Sequence, residues 1–197
     1  MATKYELEPR VSRTEIDWIS KLMLDRVDPF NRDAIRFLYH FNWEVFSRAP
    51  GSRANHHCWP GGYLEHIRQV VGYVQYLYDF WVESGVLASL PEEEKFGVDE
   101  ALTVAVLHDI EKPFSRWFDE NGNIVADPSF ATKPAEDALK VQILEQYGID
   151  LSPAQELAMK YVEGIPDDEY SPNERGMTPL AALCHAADLL SARGSYF

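Results

Sequence analysis

Cysteine is scarce in this chain: Cys58 and Cys184 are the only two, and no CxxC pair occurs. A disulfide framework is therefore excluded, and a reducing compartment is expected. Basic residues are also few, 18 Lys and Arg against 32 Asp and Glu, for a formal charge of −14. A surface that negative argues against tight, unspecific binding to a nucleic-acid backbone. It leaves nucleotide substrates open, because a bound cation reverses the sign locally. Long apolar runs are missing, so no segment approaches a membrane span. The opening residues MATKYELEPRVSR lack the apolar centre of a signal peptide. The expectation is a cytoplasmic protein with no membrane partner. What is present is a 46% apolar, 13% aromatic composition over 197 residues. That suffices for a core, and the length suits a single domain, 1–197.

Punctuation and periodicity predict helices almost throughout. One spans 14–27, with Glu15 and Asp17 in its first turn, and a second runs from Pro29 to Arg48. Residues 49–62, APGSRANHHCWPGG, read as a loop. A long helix follows from Tyr63 to Glu83, with Leu64, Ile67, Val71, Val74, Tyr78 and Trp81 at helical spacing. Residues 99–108 read as a helix apolar on nearly every side, which predicts burial, with a buried strand as the less favoured reading. Asn121-Gly122 lies between two short apolar pieces and signals a small β-hairpin at 116–126. Helices resume at 134–147, 153–163 and 179–192, with Gly148 and Gly164 placed as C-terminal caps.

The informative residues are the ionisable ones inside apolar helices. His66 shares a face with Tyr63, Val70, Tyr73 and Leu77. His108 and Asp109 end the apolar helix, and Asp188 stands inside PLAALCHAADLL, three residues after His185. A buried carboxylate without partners costs several kcal/mol. A divalent ion explains all of them at once, since imidazole nitrogen and carboxylate oxygen suit Mn, Fe, Co, Ni or Zn. Singly, each has a plainer account. A histidine on an apolar face is usually core, Asp109 could cap a helix, and Asp188 could pair with Arg193.

The blocks GGYLEH (61–66), LHDIEKPF (107–114) and HAADLLSA (185–192) resemble the signature of the HD-domain metal-dependent phosphohydrolases. The lead-in HHCWPGG is similar to one seen in several branches of that family. The resemblance spans 56–192, with 1–50 as N-terminal helices packed on that core. It implies an all-α, HD-domain-like bundle in which His66, His108, Asp109 and Asp188 hold one divalent ion (Mn, Fe, Co, Ni, Zn or Mg), with room for a second. It also implies hydrolysis of phosphoester or phosphoanhydride bonds, mostly in nucleotides. A deoxynucleoside mono- or triphosphate is the favoured substrate. Cyclic and short oligonucleotides remain open, and a long nucleic acid is disfavoured.

Around that core, Asp109 and Glu111 are the catalytic candidates, with Glu111 for proton transfer. Lys112 is expected to contact phosphate. Where some branches have Gly in the pattern His-Asp-x-Gly-Lys, this chain has Glu111 and keeps the lysine. His57 is a candidate for a second metal or the substrate, and His56 a weaker one. His185 is expected to orient Asp188. Arg193 and Arg53 are phosphate candidates, with Arg48 a remoter one. Among Trp59, Tyr63, Phe114, Trp117 and Phe118, one or more could stack on a base, although core packing is the plainer reading. His40 is read as core. Two alternatives stand beside the enzyme: an HD-fold binding or regulatory module without turnover, and a helical interaction protein whose polar core groups merely pair. The sequence leaves the oligomeric state open.

Overall fold

The most apolar segment of the chain lies at its centre. The computed structural model describes residues 25–54, 56–166, 169, 171 and 176–194. Its elements in order are α1 (Arg32–Phe41), α2 (Trp43–Phe46), α3 (Gly62–Glu83), α4 (Val86–Ser89), α5 (Val98–Leu107), α6 (Lys112–Ser115), β1 (Arg116–Phe118), β2 (Ile124–Ala126), α7 (Lys133–Tyr147), α8 (Pro153–Tyr161) and α9 (Pro179–Gly194). Short 3-10 turns fall at Glu92–Glu94 and Pro128–Phe130. Helix α5 is buried at every position from Ala101 to Leu107. It has no polar face to give to water, so α3, α8 and α9 pack around it. The most extensive helix pairing joins α3 to α9. Leu64, Ile67, Val104, Leu107 and Leu183 of these helices are fully buried. Each such side chain contributes about 1.5–3 kcal/mol of transfer free energy. That apolar enclosure also excludes water from the polar groups that end α5.

Among the described residues the protein is mostly helical with one two-stranded antiparallel sheet, as the periodicity anticipates. In the hairpin, Arg116 pairs with Ala126, Trp117 with Val125 and Phe118 with Ile124. Asp119 closes the turn by accepting from the Asn121 and Asn123 backbone N–H groups at 2.9 and 2.8 Å. Gly148 adopts the left-handed conformation expected of a C-terminal cap, with φ 65°. No helix among the described residues is long and apolar enough to cross a membrane.

The helix expected over 29–48 is instead two helices that open at Arg32. Asp28 accepts from Phe30 N–H and Asn31 N–H, fixing a turn where Pro29 was expected to begin the helix. Asn42 divides the rest. Its Nδ2 donates to the Leu38 carbonyl at 2.8 Å and to Tyr147 Oη at 2.7 Å, and such side-chain bonds compete with the helical ladder. His40, expected in the core, lies exposed on the outer face of α1, beside Phe37 and Phe41 at 58% and 70% exposure. The helix expected at 14–27 lies outside the described residues except for its last three positions, which form a turn and bend.

The loop before α3 is pinned tightly. Gly51 N–H donates to the His57 carbonyl at 2.9 Å, and Tyr63 N–H to the Ala49 carbonyl at 3.1 Å. A Cβ on Gly62 would stand 1.9 Å from that same His57 carbonyl oxygen, so only glycine fits there. His57 itself takes φ 52°, the left-handed region that a residue with a side chain rarely occupies.

Candidate metal centre

Three helices bring the central residues together. His66 projects from the second turn of α3, His108 and Asp109 follow the C-terminus of α5, and Asp188 comes from the middle of α9. His66 Nε2 and His108 Nε2 are 3.2 Å apart. Asp188 Oδ1 lies 3.2 Å from the first nitrogen and 3.6 Å from the second. Asp109 Oδ2 lies 3.3 and 3.4 Å from them. Both histidines are fully buried, Asp109 is 1% exposed, and the Asp188 side chain at 17% forms the open edge.

The tautomers follow from the outer contacts. A carbonyl only accepts, so His108 Nδ1 carries the proton that it donates to Ala105 O at 2.9 Å. Ser191 Oγ donates to Gln69 Oε1 at 2.9 Å, which leaves it to accept from His66 Nδ1, also at 2.9 Å. With a proton on each Nδ1, the two Nε2 atoms face one another. That is repulsive unless a cation is shared between them. Bonds of about 2.1 Å to one ion would set neighbouring donors about 3.0 Å apart at right angles and about 3.4 Å apart at tetrahedral angles. Four of the five separations fall in that range, and the fifth, His108 Nε2 to Asp188 Oδ1, is 3.6 Å. His66, His108 and Asp188 accordingly form a group that could hold a metal ion. Asp109 Oδ1 is buried without a hydrogen-bond partner, an oxygen that a cation could satisfy.

Charge is strongly coupled here. Burial disfavours charge on His108, but the Asp109 and Asp188 carboxylates outweigh it and push its pKa up to about 10. Burial likewise opposes the charge on Asp109, yet His108 and Lys112 hold its pKa well below the carboxylate range. Asp188 is depressed too, burial being overcome by hydrogen bonds from His108 and His66. Without a metal, a proton on the paired imidazoles supplies the cation that the geometry calls for.

A second group lies alongside. Donor atoms of His56, His57 and His66 fall within 4.8 Å of one another. His57 is fully buried, its Nδ1 is 3.0 Å from His56 Nδ1, and its Nε2 has no hydrogen-bond partner. Burial and the neighbouring His66 lower His56 to about 4 and His57 to about 3. Both rings are thus neutral near pH 7 and have lone pairs to offer.

The other expected residues divide. Lys112, 9% exposed, donates to Asp109 Oδ2, so it sits at the cluster edge. Glu111, 1% exposed, places Oε2 3.5 Å from Lys140 Nζ without a hydrogen bond. Burial, reinforced by Asp109, raises its pKa against the pull of Lys140 and Lys112. His185 does not have the expected role on Asp188 through Nδ1, which bonds to the Val162 carbonyl at 2.7 Å. Arg193 is exposed, and five residues of helix turn it about 140° from the face that carries Asp188. Arg53 pairs with Glu136 at 3.5 Å, and Arg48 is exposed. Tyr63 is core, its hydroxyl 3.3 Å from that of Tyr39, and Phe114 packs edge-on against Phe46. Trp59 does adjoin the cluster, its ring 5.2 Å from that of His57. Trp117 is 47% exposed on the hairpin. Sequence reading missed Ser191 and Gln69, which set the His66 tautomer. The available signal was spacing: each stands three residues after a ligand candidate on the same helix.

Comparison with known proteins adds no relative: no protein-family model, curated protein or solved structure matches the chain.

Proposed function

We infer that this chain is a metal-dependent phosphohydrolase of the HD-domain type, acting on nucleotides. The observation that carries the reading is the pair of buried imidazoles, each held by an outer hydrogen bond so that both Nε2 atoms face one point 3.2 Å across, flanked by two carboxylates. His66, His108, Asp109 and Asp188 would hold the ion. A bound divalent ion lowers the pKa of water and polarises a phosphoryl oxygen.

The chain's own groups complete the chemistry. Ser191 and Ala105 fix the ring orientations. Lys112 keeps its ammonium beside Asp109, where it can stabilise charge that develops on a phosphoryl oxygen. Glu111, desolvated and raised in pKa, can accept or return a proton. The neutral His56 and His57 offer donors to a second ion or to the substrate. A chain of charge −14 needs local cations to receive an anion, and Lys112 and Lys140 are both within reach of Glu111.

The test is phosphate or nucleoside release from a nucleotide panel with Mn, Co, Ni and Mg, beside the Asp109→Ala protein. Release that the substitution abolishes is expected, together with a metal-dependent rise in melting temperature. A folded protein that gains no thermal stability from any of these ions, and releases nothing, would leave the histidines and aspartates as a paired polar core. Metal uptake without turnover would favour a binding or regulatory module.

A further inference from the structure

Two arginines converge on one atom of Glu136, which stands one helical turn before Lys140, and Lys140 Nζ reaches Glu111, two residues after the ligand candidate Asp109, at 3.5 Å. Arg53 lies three residues before His56, and Arg116 follows α6, four residues beyond Lys112. Their Nη2 atoms reach the same oxygen, Glu136 Oε1, at 3.5 and 2.7 Å. Arg116 is only 8% exposed, and its Nε is buried with no hydrogen-bond partner. A guanidinium has five N–H donors in a fork suited to carboxylate and phosphate oxygens. Among the described residues, Arg116 uses one of its nitrogens, Nη2, on Glu136. Glu136 stands in the first turn of α7, where the helix dipole already favours an anion. One carboxylate therefore faces two guanidiniums and a positive helix end, and a buried arginine nitrogen remains unsatisfied. The arrangement is short of one anion.

We propose that Arg116 and Arg53 form a second phosphate subsite, so that the substrate is a nucleotide carrying at least two phosphate groups. This deepens the phosphohydrolase reading and rests on it for the first phosphate. The second phosphate belongs to a pyrophosphate link, as in a nucleoside triphosphate, or to a phosphodiester link, as in a dinucleotide. The chemistry that the arginines meet is the same.

Titration calorimetry in the presence of manganese tests it with three probes: adenosine monophosphate, its methylene-bridged triphosphate analogue and a phosphorothioate-linked diadenosine nucleotide bearing a 5′-phosphate. One or both of the probes with more than one phosphate should bind about tenfold tighter than the monophosphate. The probe that gains identifies the link. Arg116→Gln and Arg53→Gln should each remove most of that gain and change monophosphate affinity less than about twofold. Arg53 is half-exposed, so its variant guards against a misfolded Arg116→Gln. Glu136→Gln, which frees both guanidiniums, should tighten the probe that gains. Equal affinity for all three probes, or an undiminished preference in folded Arg53→Gln, would overturn the subsite. Turnover lost in Asp109→Ala but indifferent to the second phosphate would sink the subsite alone. The preference without turnover of any nucleotide would sink the hydrolase reading alone.

Discussion

His108 sets two pH dependences of opposite sign. Its pKa in the folded, metal-free chain is about 10 against an ordinary 6.5, so its charge stabilises the fold fully below 6.5 and progressively less as pH rises toward 10. An ion entering this site would have to displace that proton. Affinity for an ion such as Zn or Mn should therefore rise about tenfold per pH unit between 7 and 9. Over the same interval the urea midpoint of metal-free protein should fall. Competitive metal titrations and urea melts at several pH values check both slopes, and a flat affinity would mean that His108 is not a ligand. Ser191→Ala tests the other imidazole. Loss of the hydroxyl frees His66 to choose its tautomer, with about a 10–100-fold loss of metal affinity. It also takes the acceptor from the buried His66 Nδ1, at about 1–3 kcal/mol, readable in the melting temperature. The four ligand candidates were legible because ionisable residues in apolar helices demand an explanation. Ser191 was not, since a helical serine is unremarkable until its neighbours are known. His185 and Arg193 show the limit from the other side. Spacing gives the face of a helix but not what that face meets, and His185 meets the Val162 carbonyl.

Between the elements, the tightest constraint is where the loop carrying His57 crosses the start of α3. Gly62→Ala would force a Cβ to within 1.9 Å of the His57 carbonyl oxygen. It should destabilise the chain by about 2 kcal/mol or more. Gly72 is the internal control: it lies in the same helix with nothing near its Cβ position, so Gly72→Ala should stabilise by about 0.5–1 kcal/mol. Chemical denaturation of the two variants reads both signs, and equal effects would mean that the loop does not press on the helix. The helix boundaries with glycine or proline punctuation, such as the Gly148 end of α7, could be read from sequence. The break at Asn42 could not, because it depends on a bond to Tyr147, 105 residues away.

For the whole molecule, the sum of charges and their placement make separate statements. The total of −14 repels a long polyanion, while Arg53, Lys112, Arg116 and Lys140 are drawn toward one region by Asp109, Glu111 and Glu136. A labelled 20-nucleotide DNA strand should show a dissociation constant weaker than about 100 μM at physiological salt, measured by anisotropy. Binding at low micromolar concentration would contradict the preference for small nucleotides. Composition gave the net charge, but the local gathering of cations needed the fold, since these residues are scattered along the chain.

The spread of the ligand candidates has a mechanical consequence. His66 and Asp188 are 122 residues apart, by subtraction of their positions, and His108 lies between them. An ion held by all three would tie together segments that the chain itself joins only through long detours, as a covalent bridge does in a secreted protein. Closing so long a loop removes several kcal/mol of entropy from the unfolded chain. In a molecule whose two thiols are both free, chelation would then be the one cross-link available. A protease would find the chain most vulnerable in the interval before the ion arrives.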